Sequence, residues 1–301
     1  MDFLGLLKSC EVCPVRCKVN RINGELGFCR AGFDCIVSKA FPHLWEEPCI
    51  SGTKGSGTVF FSGCNLKCVF CQNYEISQEM VGKPRDLKAL AEIFLRLQER
   101  GVHNINLVTP TIYSPQIAEA IKLAKERGLK VPIVWNSNAY ENVEILSKME
   151  GLIDVYLPDL KYYDDEIAYK YSKARNYFEY ASKAILEMVR QVGEPEFDEK
   201  GIIKRGVIIR HLVLPGYVND TKKILKWISE NLPAGVYVSL MSQYMPYYRT
   251  EEYPEINRPL TKKEYDEAVE YFFEVGLENG FIQGEGANSE EFVPDFDFEG
   301  I

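Results

Sequence analysis

The chain reads as an α/β protein: a partial (β/α)6 TIM-type barrel of parallel strands preceded by an N-terminal cysteine-rich cap. Three observations predict this. From Thr58 onward six short apolar runs alternate with helical patterns, the rhythm of strand–crossover–strand units. Most of these runs are rich in Val and Ile and apolar on both faces, as buried parallel strands are. All nine cysteines lie between Cys10 and Cys71, and the first ~55 residues lack the alternation altogether.

The strand candidates, in order, are Thr58–Ser62, Asn104–Val108, Val131–Trp135, Asp154–Leu157, Val207–Leu214 and Val236–Leu240. The helices between them are well punctuated. Asp86 caps a helix whose Leu87, Leu90, Phe94 and Leu97 share a face, with Gly101 beyond its end. Ser114-Pro115 opens the next and Gly128 closes it. Asp164–Gln191 holds two helices or one broken near Asn176, and Asp220 or Thr221 starts another through Trp227. Thr261 and Glu264 form a capping box ahead of Tyr265, Ala268, Tyr271 and Phe272. A closed barrel needs about eight strand–helix repeats; six are present. The organisation expected is a cap over 1–55, a barrel over 56–283 and an acidic tail over 284–301. The tail carries Phe292, Phe296 and Phe298, and is either a loosely held terminus, the expectation favoured here, or a strap folded back on the barrel.

Composition narrows the function classes. The chain has 301 residues, 46% hydrophobic and 26% charged, an ordinary globular balance. No run approaches the ~18 apolar residues of a membrane span, and Met1–Cys17 lacks the order of a signal peptide, so a cytoplasmic location is expected. The net charge of −9 argues against broad binding of nucleic acid. Nine cysteines, an odd number crowded into the first quarter, read as metal ligation. His43, His103 and His211 are too few and scattered to form a metal site of their own.

The segment Ser62-Gly63-Cys64-Asn65-Leu66-Lys67-Cys68-Val69-Phe70-Cys71 directly follows the first strand. Its spacing, C-x3-C-x2-C, puts three thiolates on one short loop. A four-iron cluster takes one cysteine per iron, so three would leave one iron with an open position. An amine and a carboxylate on the same ligand could chelate it. Zinc on these three thiols and a distant residue is the alternative, although structural zinc sites usually pair cysteines on two loops. Upstream, Cys10, Cys13, Cys17 and Cys29 have the spacing C-x2-C-x3-C-x11-C. Four thiolates in a segment too short for its own core suit a structural zinc ion, the preferred reading, or an auxiliary iron–sulfur cluster. Cys35 and Cys49 belong to no motif and read as buried apolar residues.

The loop spacing after the first strand of a partial barrel resembles the radical S-adenosylmethionine (radical SAM) superfamily. The phrases GSGTVFFSGCNLKCVFCQNYEIS, NINLVTPT, VYLPDLKYY, IIRHLVLPG and MSQYMP resemble its pyruvate formate-lyase activating enzyme-like branch, from about Cys10 to about Tyr265. The resemblance implies an oxidoreductase-type enzyme in which a [4Fe-4S] cluster on Cys64, Cys68 and Cys71 binds and reductively cleaves S-adenosyl-L-methionine. The 5′-deoxyadenosyl radical then takes a hydrogen atom from a substrate. It also implies a low-potential electron donor of flavodoxin or ferredoxin type. Three substrates compete: a glycine of a partner protein, as in glycyl radical enzyme activation; another protein or peptide residue; and a small metabolite. A non-catalytic zinc-dependent adaptor is the rival class.

Ligands of such a barrel gather at the C-terminal ends of the strands, and the resemblance assigns roles there. Phe70 shields the cluster and adenine or is core, while Gln72 and Asn73 shape the loop or bond the cofactor. Thr109 would orient the methionine amine; activases of this group carry a Gly-Gly-Glu turn where this chain has Thr109-Pro110-Thr111. Asn136 would bond ribose or carboxylate, or hold its own turn. In the Asp-x-Lys pattern, Lys161 would pair with the methionine carboxylate and Asp159 with amine or ribose; a mutual ion pair is the alternative. Of Arg210 and His211, consecutive on one strand, only one can face the interior. Gln243 and Tyr244 are further candidate substrate contacts. The best-known activases are shorter at the N-terminus, so the cysteine-rich cap has no counterpart in them.

Overall fold

The computed structural model describes residues 3–284 and 294–301. Its strands are β1 (Cys35–His43), β2 (Ser56–Phe61), β3 (Lys83–Arg85), β4 (Ile105–Val108), β5 (Ile133–Ser137), β6 (Val155–Pro158), β7 (Glu196–Phe197), β8 (Ile203–Leu212), β9 (Tyr237–Met241) and β10 (Gly280–Ile282). They form one sheet in the order β10-β9-β8-β6-β5-β4-β2-β1-β3, with β7 beside β8. From β2 to β10 every neighbouring pair is parallel. The end strands β10 and β3 do not pair, so the curled sheet stays open.

The six expected strands are β2, β4, β5, β6, β8 and β9. Four further strands, β1, β3, β7 and β10, join the sheet. β1 pairs antiparallel with β2, from Val37↔Phe61 to His43↔Ser56, so the sheet reaches into the interval read as cap. Lys39 and Pro42 interrupt its apolar pattern, and a register shift between Val37 and Lys39 breaks the alternation. β3 continues from β1. β10 is too short to show a period, and it runs so close to β9 that a Cβ on Gly280 would lie 1.9 Å from the Val238 carbonyl oxygen. β8 begins earlier than its apolar run, at Ile203, because β7 pairs with Ile203 and Arg205 ahead of that run.

The helices are α1 (Pro48–Ser51), α2 (Tyr74–Ser77), α3 (Leu87–Glu99), α4 (Ser114–Glu126), α5 (Val143–Leu146), α6 (Asp165–Ser172), α7 (Tyr177–Val192), α8 (Val218–Asn231) and α9 (Lys262–Glu274). Asp86 caps α3 by accepting the Ala89 N–H at 2.8 Å, and Thr261 with Glu264 makes the capping box of α9. The break near Asn176 is real: that residue has φ of 51° and separates α6 from α7. α8 starts at Val218, ahead of Asp220. The Asp220 carboxylate instead accepts the N–H groups of Tyr163 and Asp164 at 2.9 and 3.0 Å, tying down the loop after β6.

The main core lies between the sheet and its helices. A smaller one lies inside the barrel, where Val134, Val155, Leu157 and Ile208 meet Cys49 and Ile50 of α1. Because β1 is antiparallel to β2, residues 44–55 sit at the N-terminal ends of the parallel strands, with Ile50 held by Asn104. Residues 3–34 contain two short 3-10 turns and no strand or α-helix. Their Leu7, Val12, Cys10 and Cys29 join the main core. Buried Arg21 bonds the carbonyls of Gly32 and Ile112 and lies over the Tyr113 ring. Residues 294–301 lie against β1 and β2, not loose: Glu299 accepts the Ala40 N–H at 2.9 Å, Asp297 pairs with Lys39, and Phe296 meets Phe60. Phe298 sits beneath the Lys83 ammonium, while Phe292 lies outside the described residues.

Candidate functional site

Strand alternation decides which side chains face the barrel interior. On β8 it turns Arg210 inward, and Asp159 stands level with it just past β6. Asn136 projects inward from β5 and bonds Arg210. Above these lies the loop after β2, whose position comes from main-chain bonds. Lys67 and Val69 donate to the carbonyls of Ser172 and Tyr171 at the end of α6, at 2.8 and 2.9 Å, and Gly63 donates to Ile76 at 2.8 Å. A cavity of about 450 Å³ joins the two levels, within the usual size of a small-ligand site. Cys68 and Cys71 line its mouth, Asp159, Lys161 and Arg210 its waist, and Glu46 and Glu47 its floor.

The three thiols are set up to ligate. Burial pushes Cys64 up to about 12 and Cys71 up to about 11, and Cys68 between them adds to both shifts. Burial also raises Cys68, against the pull of the Lys161 ammonium. Each sulfur has a polar partner. Cys64 accepts from the Leu66 N–H and from Asn138 Nδ2, both at 3.4 Å. Cys68 accepts from Ser172 Oγ at 3.0 Å, and Cys71 lies 3.2 Å from Ser77 Oγ. Such donors stabilise thiolates and tune the potential of an iron–sulfur centre. The donor set therefore fits a cluster held by Cys64, Cys68 and Cys71, with metal replacing protons that burial otherwise retains.

A charged network occupies the waist. Arg210 is its centre: Nε donates to Asp159 Oδ1 at 2.7 Å, Nη2 to Asn136 Oδ1 at 2.7 Å and Nη1 to Glu46 Oε2 at 3.1 Å. Lys161 Nζ lies 2.7 Å from Asp159 Oδ2. Burial would raise Asp159, but Arg210 and Lys161 outweigh it and hold the carboxyl below its ordinary range. Burial would lower Lys161, and Asp159 reverses that. At the floor burial wins: Glu46 and Glu47 are both raised, although Arg210 pulls each back. Glu47 is 8% exposed, and its Oε2 has no hydrogen-bond partner.

The structure brings Phe70, Asn73, Asn136, Asp159, Lys161 and Arg210 to one cavity, along with Gln72, Gln243 and Tyr244. Two expected residues stand elsewhere. His211 points out of the barrel, where its ring nitrogens meet the Leu160 carbonyl at 2.7 Å and Thr221 Oγ1 at 2.9 Å. Burial lowers it to about 4, so it is a neutral packing residue and not a cofactor contact. Thr109 lies outside the cavity lining; it adopts φ of 59°, and its N–H donates to the Asn136 carbonyl. Cys10, Cys13, Cys17 and Cys29 are also away from the cavity. Glu46 and Glu47 were not foreseen. No local pattern marks them, and only the β1–β2 pairing, which the sequence conceals, carries them under the barrel.

With this geometry in place, comparison with known proteins is specific. The model of the Radical SAM superfamily matches residues 58–228, and the chain belongs to that superfamily. It is 38% identical over 276 residues to an uncharacterized protein of Methanocaldococcus jannaschii, covering 88% of this chain and 75% of that one. Pyruvate formate-lyase-activating enzyme of Clostridium pasteurianum is 28% identical over 175 residues, covering 56% and 66%. Among solved structures, Streptococcus suis SuiB bound to S-adenosylmethionine shares the fold, with a TM-score of 0.50 at 18% identity over 74% of this chain. The match spans about half of that chain's length, at 49%. The superfamily implies a [4Fe-4S] cluster and S-adenosylmethionine. Among the described residues no helix is long and apolar enough to cross a membrane.

Proposed function

We propose that this chain cleaves S-adenosylmethionine reductively in the cavity below Cys64, Cys68 and Cys71 and uses the product radical to take hydrogen from a substrate. The observation that carries the reading is the single cavity joining the thiol loop to Asp159, Lys161 and Arg210. Cys64, Cys68 and Cys71 would hold a [4Fe-4S] cluster that, when reduced, would supply the one electron needed to cleave the sulfonium. Lys161 is placed to receive the methionine carboxylate, exchanging part of its pairing with Asp159. Asn136 offers an amide to ribose or carboxylate, although its oxygen already serves Arg210. Phe70 and Asn73 wall the mouth, and Phe70 excludes water from the reacting atoms. Arg210 positions Asp159 and Glu46 and does not itself react.

The substrate end of the cavity is its floor. The free Glu47 oxygen favours a substrate group that donates hydrogen bonds. A glycine of a partner protein, another protein or peptide residue and a small metabolite all remain in this class. The likeness to an activating enzyme supports the first. A low-potential flavodoxin or ferredoxin supplies the electron, and the reaction runs in the cytoplasm. The test is 5′-deoxyadenosine formation by oxygen-free protein after chemical reduction. Wild type forms it, while Cys68→Ala forms none and keeps the folded barrel by circular dichroism. Full activity in that variant would remove the loop from the chemistry.

A further inference from the structure

The N-terminal cysteines play no part in the site above. Cys10, Cys13 and Cys29 are buried and Cys17 is half-buried. They face one another: Cys10, Cys17 and Cys29 each act on the Cys13 thiol, and Cys10 and Cys17 on Cys29. Single turn bonds, such as Arg16 N–H to the Cys13 carbonyl and Lys18 N–H to the Cys10 carbonyl, shape their arrangement. Residues 3–34 have no strand or α-helix to impose it. Arg16 and Lys18, which flank Cys17, and Arg30, which follows Cys29, all have positive φ, a conformation costing about 1 kcal/mol or more for a side-chain-bearing residue. At Gly27 a Cβ would lie 2.4 Å from Cys17 Sγ, so glycine leaves room for that thiol. A metal bound by all four thiols would offset the cost of these conformations and of burying the sulfurs.

Geometry separates the two candidate ligands. A zinc ion places four sulfurs about 2.3 Å from one point, hence about 4 Å from each other. A four-iron cluster spreads them, one per iron. Among the described residues no three Cys, His, Asp or Glu side chains converge on a single-ion position. That holds for Cys10, Cys13, Cys17 and Cys29 and equally for Cys64, Cys68 and Cys71, the loop whose superfamily implies an iron–sulfur cluster.

We infer that Cys10, Cys13, Cys17 and Cys29 ligate a second [4Fe-4S] cluster. With four thiolates it is coordinatively closed and takes no S-adenosylmethionine. It stands beside the first site: a Cβ on Gly63 would lie 2.8 Å from the Cys29 carbonyl oxygen, and Gly63 precedes Cys64. Arg21, whose guanidinium lies 3.9 Å from Cys10 Sγ, offsets its negative charge.

The triple variant Cys64→Ala/Cys68→Ala/Cys71→Ala, purified without oxygen, tests this. It should retain about four iron and four sulfide per chain, with a reduced-state paramagnetic resonance signal that S-adenosylmethionine does not alter. About one zinc per chain without iron, or no metal at all, overturns the inference. Wild type supplies a second measurement should the variant misfold: about eight iron per chain, with S-adenosylmethionine changing half of the reduced signal. About four iron in wild type overturns the inference as well. Either failure leaves the cleavage reading intact, because that is judged by 5′-deoxyadenosine alone.

Discussion

Two groups of cysteines lie against each other in this molecule, and the fold treats them in opposite ways. The loop 62–71 is held by others: α6 and Ile76 fix its main chain, and Ser172, Ser77 and Asn138 meet its sulfurs. The main chain of segment 3–34 is bonded within itself, as in Cys10 N–H to the Val19 carbonyl and Lys18 N–H to the Cys10 carbonyl, while side chains such as Arg21 and Asn142 dock it on the barrel. The barrel presents the first set to a ligand. The second set, on the inference above, is steadied by its own ligand. The lesson is that identical donors can be a consequence of a fold or a cause of one, and main-chain bonding distinguishes the cases.

The largest effect expected of this contrast comes from metal removal. Chelation without oxygen should return amide protection over residues 3–34 to the unfolded level. Protection in β4, β5 and β6 should change by less than about tenfold, near 1.4 kcal/mol. Hydrogen exchange read by mass spectrometry checks this, and equal loss in both regions breaks the contrast.

Next comes the barrel's own dependence on charge. Arg210→Met leaves Glu46 buried without its cation and Asp159 with Lys161 alone, and should lower stability by about 3–5 kcal/mol in urea unfolding. Part of the loss should return when Glu46→Gln is added. A loss below about 1 kcal/mol would mean that the network is exchanged for water at little cost.

A somewhat smaller effect is carried by a buried carboxyl outside the cavity lining, on the loop after β5. Glu141 is 1% exposed, and Trp135 Nε1 donates to both its oxygens at 3.0 and 3.3 Å. Burial pushes it up to about 7. The folded state then holds the proton more tightly than the unfolded chain, so its stabilising effect is complete below the unfolded value of about 4.5 and is lost as pH rises through about 7. The full change is about 3 kcal/mol. Glu141→Gln should flatten stability against pH over that window; an unaltered slope would place the titration elsewhere. The smallest effect belongs to Lys161→Ala, which should weaken S-adenosylmethionine binding about tenfold, or 1.4 kcal/mol, by calorimetry. Iron content should not move, and unchanged affinity would take Lys161 out of the site.

The strands that read apolar on both faces were legible because burial on two sides leaves no other composition. Capping chemistry was equally plain at Asp86 and Thr261, where side chain and main chain meet within three residues. β1 stayed hidden because Lys39 and Pro42 are tolerated beside β2 and under the residues near Glu299, a long-range fact. The site followed the same division. Asp159 and Lys161 declare themselves by standing just past a strand end. The choice between Arg210 and His211 needed the actual phase of β8, and Glu46 and Glu47 needed a topology that no window of sequence contains.

On the proposed reading, Glu46 and Glu47 also set a rule of traffic. Beneath them Cys49 and Ile50 are wedged among Val134, Val155 and Leu157, so the chamber is stoppered below. A guest resting on those carboxylates and another held beside the thiols stack in one column. The lower one must board first and disembark last, an ordered itinerary that steady-state inhibition patterns would reveal.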